Sequence, residues 1–203
     1  MASAIVIVPF TVGLIRIRSL SLKEKTLLLL SFFALITESI ALYLRSLHTN
    51  NLIYYHIYTT TEFCLLSIYF FLLISARIPR SMILAILLPF LILAYFDTPS
   101  VKLNTIDNLT TTFEGIAVII YCIGYFYSLM LNPVFDRLLN APSFWFVTSF
   151  LIYFSGTLFL FIFDTYMKQI PPATAHLLWG INSGLVILFN ILFAVGFWKT
   201  KMK

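Results

Sequence analysis

The sequence predicts an all-α integral membrane protein, a bundle of seven transmembrane helices with six as the alternative count, N-terminus outside and C-terminus cytoplasmic. Three observations predict it. Of 203 residues, 61% are hydrophobic and only 10% charged, far from the balance of a soluble domain. Apolar stretches of about 20 residues recur along the whole length, and ~20 residues rising ~1.5 Å each are what a helix needs to cross ~30 Å of hydrocarbon. The charges gather in short clusters between those stretches, so the pI of about 9.2 reflects topology and not a nucleic-acid-binding face.

Spans are expected at 3 to 18, 25 to 46, 51 to 75, 81 to 97, 105 to 131, 143 to 164 and 172 to 198, forming one transmembrane domain over 1–203. Pro79, Pro99, Pro133, Pro142, Pro171 and Pro172 punctuate the gaps or open spans, where a missing N–H costs least. Pro9 and Pro89 fall inside spans and are expected to kink them. The first span is the shortest, because about 15 residues precede Arg16 and reach across only if Arg16 snorkels to the headgroups. No basic residue precedes that apolar run and no small-residue cleavage site follows it, so it does not read as a signal peptide.

Orientation follows from the basic residues. Arg16, Arg18, Lys23, Lys25, Arg77, Arg80, Arg137, Lys199, Lys201 and Lys203 fall on one side, against Arg45, Lys102 and Lys168 on the other. An excess of this kind in short loops marks the cytoplasmic side. Trp145 and Trp198 then anchor the inner interface, and Tyr43, Tyr54, Tyr55 and Tyr166 the outer one.

Function has to be sought in the polar groups left inside the membrane. Among the eight acidic residues, Glu38, Glu62 and Glu114 fall within spans, where each would cost roughly 2.5 to 3.5 kcal/mol at a helix centre. Counted from the outer span ends, all three sit roughly 12 to 16 Å deep. Tyr153, Ser155 and Asn182 fall at a similar level, and His56 and His176 roughly 6 to 8 Å deep, above them. The expected site is therefore an outward-facing polar layer of Glu38, Glu62, Glu114, Tyr153, Ser155 and Asn182 under a vestibule of His56 and His176, open to a small polar or cationic ligand. The plainer alternative is neutral carboxyl groups acting as interhelical glue.

Other chemistries fit less well. Three histidines, no two at helical ligand spacing, do not make a catalytic zinc site. Cys64 and Cys122 show no metal or disulfide spacing and read as packing residues. The last span carries no lysine for a retinal Schiff base. No metal, cofactor or nucleic-acid partner is expected. The sequon at Asn108 falls at a span start and carries no weight. An echo between Thr59-Thr60-Thr61-Glu62 and Thr110-Thr111-Thr112-Phe113-Glu114 suggests a parallel repeat, but the acid is offset by one residue, or about 100° of helix.

Tyr54-Tyr55-His56-Ile57-Tyr58-Thr59-Thr60-Thr61-Glu62-Phe63, Thr37-Glu38-Ser39, and Pro142-Ser143-Phe144-Trp145 with Tyr153-Phe154-Ser155-Gly156 resemble an uncharacterised group of small bacterial multi-span integral membrane proteins. The resemblance covers nearly the whole chain and implies a recurring polar pattern in a cell (inner) membrane protein, with no activity to carry over. Three functional classes stay open. A small transporter or channel binding a cation or proton with a polar solute leads, because intramembrane acids on several helices are typical of ion pathways. A sensor or effector module signalling through a protein partner or homo-oligomer, and a membrane enzyme acting on a lipid, are the alternatives.

Overall fold

A computed structural model of the chain describes residues 5–49, 51–74, 80–97, 108–131, 135–162 and 172–200. It is all-helical there. The helices are α1 (Ile7–Ile15), α2 (Leu22–Ser46), α3 (Leu52–Leu73), α4 (Ser81–Asp97), α5 (Asn108–Leu131), α6 (Pro142–Ile162) and α7 (Pro172–Trp198), with a 3₁₀ helix at Phe135–Asn140 before α6. Five of them, α2, α3, α5, α6 and α7, contain stretches long and apolar enough to cross a membrane, and α4 is a shorter apolar helix.

Local chemistry sets the helix starts. The Ser21 backbone N–H donates to the Glu24 carboxylate at 2.7 Å, a capping-box bond that opens α2 and leaves Glu24 buried. Pro142 and Pro172 occupy the first positions of α6 and α7, where proline has no hydrogen bond to lose. Pro9 falls in the first turn of α1. It therefore marks a helix start, where the sequence suggested a kink within a span. Pro89 lies inside α4.

The expected 3 to 18 span is represented by α1, whose nine residues reach ~14 Å, about half the hydrocarbon thickness. It lies along the basic-end halves of its neighbours. Phe10 stacks on Phe32 of α2 at 5.9 Å, and a Cβ on Gly13 would stand 2.7 Å from Leu28 of α2 and 3.5 Å from Phe197 of α7. Arg16 then caps the seam, 4.6 Å from the Trp198 ring.

Packing shows successive long helices running antiparallel. The Lys23 ammonium donates to the Ser143 hydroxyl at 3.1 Å, joining the starts of α2 and α6. At the other end, Thr110 of α5 donates to the last residue of α4, Asp97, at 2.5 Å. One end thus carries Arg16, Arg18, Lys23, Lys25, Arg80, Arg137 and Lys199, against Arg45 at the opposite end among the described residues.

The half of the bundle nearer the basic end is filled with rings. Tyr69, Phe70, Tyr121, Phe146, Phe150 and Phe197 are each less than 2% exposed. Phe146 touches Phe193 and Phe197 of α7 at 5.0 and 4.9 Å and Tyr69 of α3 at 6.3 Å. In a lipid setting the stabilisation comes from close packing, because moving a ring from lipid to protein releases no water.

Candidate functional site

Three helices carry the carboxylates, and their partners are tyrosines. Tyr55, Tyr58 and Glu62 occur at i, i+3 and i+7, one stripe of α3. The Tyr58 hydroxyl donates a hydrogen bond to the Glu62 carboxylate and stands within electrostatic range of Glu114 and Tyr153. Glu62 acts in turn on Glu114 of α5. Glu114 is 2% exposed, and its Oε1 is buried with no hydrogen-bond partner among the described residues. Such an oxygen is costly to leave unsatisfied.

The level of Tyr153 is set by packing on both flanks of α6. A Cβ on Gly115 of α5 would stand 3.2 Å from Leu158 and 3.9 Å from Phe154, and the Tyr153 ring lies 5.0 Å from Phe189 of α7. Tyr153 stands within electrostatic range of Glu62, Glu114 and Glu38 together. Glu38 on α2 is half-buried. α2 packs on α3, and Arg45 stands in the last turn of α2.

The remaining expected members stand apart. Ser155, two residues and so about 200° beyond Tyr153, is exposed, and its hydroxyl donates back to the Leu151 and Ile152 carbonyls of its own helix. Asn182 has a buried Oδ1 without a partner among the described residues. The α6–α7 register, read from Tyr153 on Phe189 and Gly156 on Leu185, carries it to the level of Phe159 and Leu160, about 10 Å from Tyr153 along the seam.

His56 lies about 120° round α3 from Glu62. It borders a groove of about 320 Å³ with Ile57, Thr60 and Thr61 of its own helix and Leu91, Ala94 and Tyr95 of α4. His176 is exposed near the start of α7. Because α4 packs on α3 and α5, and α7 on α6 and α1, the two histidines border different seams and do not wall one vestibule. His56→Gln and His176→Gln are expected to change stability in detergent by no more than about 0.5 kcal/mol, as thermal unfolding will show. Aggregation of either variant would identify a structural histidine.

Tyr58 and Tyr153 lie within electrostatic range of both Glu62 and Glu114. Tyr58 did not stand out in the sequence, although its position four residues before Glu62 was the available signal. Among the described residues no three His, Cys, Asp or Glu side chains are grouped closely enough to cage a metal ion. Hydrogen-bonding oxygens on facing helices are suited to holding and passing protons, or to binding a hard cation loosely.

Five helices long and apolar enough to cross a membrane are consistent with a multi-pass membrane protein. No family model, curated protein or solved structure matches the chain.

Proposed function

We propose that this protein is a small transporter or channel whose intramembrane carboxylates carry a proton or a cation together with a polar solute. One observation carries the reading: Glu114 is buried among apolar helices with a carboxyl oxygen that has no hydrogen-bond partner among the described residues, on a helix packed against the one that carries Glu62. Carboxyls serving only as glue have their oxygens bonded to neighbouring helices, whereas a group that takes up a proton or cation leaves an acceptor open. The ring-filled half of the bundle below them supports access from the end opposite the basic residues.

The topology that belongs with this reading has seven spans, α1 with its flanking residues being the first, and the basic end in the cytoplasm. The uneven distribution of Lys and Arg is its support. Reporter fusions after Lys203 should be cytoplasmic, and those within 99–104 external. The reverse pattern would invert the proposed access. A cytoplasmic N-terminal reporter would reduce the count to six.

The function itself is tested in proteoliposomes with a pH dye inside and an imposed potassium diffusion potential. Proton uptake above that of protein-free vesicles, or uptake that appears on adding a polar solute or a second cation, is expected. Flux indistinguishable from empty vesicles under all of these conditions would refute the transport reading.

A further inference from the structure

The basic end of the bundle carries cations that helix-end stabilisation does not account for. Residues 16–25, running from the end of α1 into α2, hold Arg16, Arg18, Lys23 and Lys25 against one acid, Glu24. That carboxylate is buried and accepts the Ser21 backbone N–H at 2.7 Å, so it is committed to its own helix cap. Lys23 and Lys25 stand in the first turns of α2, where the helix dipole disfavours a cation. Lys23 reaches the Ser143 hydroxyl of α6 at 3.1 Å, and Arg18 and Lys25 are exposed. Where α1 meets α7, the Arg16 guanidinium stands over the Trp198 ring, 4.6 Å from its centre, with Lys199 next in the chain. That attraction acts on the charge and leaves the planar fork of N–H donors to meet an oxyanion. Apolar side chains border these cations: Ile15 is 77% exposed, Leu22 68% and Trp198 61%.

We propose that this surface, centred on Arg16, Trp198 and Lys199, binds an anionic phospholipid of the leaflet at the basic end. The lipid phosphate meets the Arg16 fork, and its acyl chains lie along Ile15 and the Trp198 ring. Lys199, Arg18, Lys23 and Lys25 add attraction that falls off over a Debye length. Charge selects an anion, and the exposed apolar groups select an amphiphile. A water-soluble anion or a nucleic acid would cover the cations and leave Ile15, Leu22 and Trp198 in water. Because the nine residues of α1 reach only about half the hydrocarbon thickness, and α1 packs on α2 and α7, a lipid seated there pins its end to α7 from the membrane side. The carboxylates of α3 and α5 take no part, so the site stands whatever they carry.

The test uses Trp198 as its own reporter. The full chain carrying Trp145→Phe and Trp179→Phe, which leave Trp198 as its one tryptophan, is placed in phosphatidylcholine nanodiscs. Its fluorescence is then titrated with phosphatidylglycerol or phosphatidylcholine brominated on the acyl chains. Phosphatidylglycerol should quench at the lower mole fraction. Arg16→Gln and Lys199→Gln should each reduce that preference about 5-fold, the equivalent of ~1 kcal/mol per basic residue near an anionic surface, and together about 25-fold if the two losses add. Arg16→Lys, which keeps the charge, should retain most of it. In detergent, phosphatidylglycerol should raise the unfolding temperature of the wild type by mass action, and the Arg16→Gln/Lys199→Gln variant should lose that rise. Equal quenching by the two brominated lipids, or an undiminished preference in the double variant, would overturn the site. Relief of quenching by inorganic phosphate at matched ionic strength would assign it to a soluble phosphate instead. Unfolding of the double variant in phosphatidylcholine alone would show that the two side chains hold the α1–α7 seam themselves, against the lipid.

Discussion

Glu62→Gln and Glu114→Gln are each expected to fold normally and to reduce ion flux in proteoliposomes to the level of protein-free vesicles. Glutamine keeps a carbonyl oxygen that can accept the Tyr58 hydrogen bond made to Glu62, so the packing of α3 should survive. It cannot bind and release a proton, and it offers a cation no charge. For Glu114, one oxygen already lacks a partner among the described residues, so the amide loses nothing structural on that side. Glu62→Leu should be harsher for stability, because the Tyr58 hydroxyl would lose its acceptor in a setting without water, at a cost of about 1–3 kcal/mol. The measurement pairs flux with thermal unfolding in detergent. If both Gln variants keep wild-type flux, the carboxylates are interhelical glue. If both unfold, their role is structural and the site has to be sought elsewhere.

Gly196→Ala is expected to lower stability by about 1–3 kcal/mol, the usual cost of overpacking a filled core. A Cβ there would stand 2.6, 2.7 and 2.9 Å from three atoms of the Phe146 ring. That ring has no free direction to retreat, since Phe193, Phe197 and Tyr69 surround it. Phe146→Leu on its own should lose packing, yet in the double variant it should recover part of the Gly196→Ala loss. This coupling of two neighbouring sites is what a double-mutant cycle isolates. Independent, additive losses would mean that α6 and α7 do not meet at Gly196. By contrast, a Cβ on Gly180 or Gly184 of the same helix would meet no neighbouring atom within 4 Å among the described residues, so Gly180→Ala and Gly184→Ala should be tolerated.

Much of the chain's architecture is legible in the amino-acid sequence, because the bilayer imposes a single length scale and a single hydrogen-bonding solution on the backbone. Apolar run lengths, the prolines at Pro142 and Pro172, and the Ser21-x-x-Glu24 start locate the long helices to within a few residues. The short α1 is harder. An apolar run signals preference for lipid, but how far the helix extends within the run depends on its contacts, here Leu28, Phe32 and Phe197.

By itself the sequence determined that the chain is helical, that Glu38, Glu62 and Glu114 lie within apolar segments, and that basic residues gather at one end, all of these being properties of composition along one dimension. Only the tertiary structure decided which of the polar residues face one another. Equal depth says nothing about azimuth. A helix turns about 100° per residue, so Ser155 points away from the side of α6 that carries Tyr153, and His56 away from the side of α3 that carries Glu62, although each lies within a few residues of its neighbour in sequence. Azimuth is set by which helices pack together. The aromatic contacts of Phe63, Phe70, Phe146 and Phe150 lock α3, α5, α6 and α7 in register, and that register brings Glu62, Glu114, Tyr58 and Tyr153 together while leaving His176 on the outside.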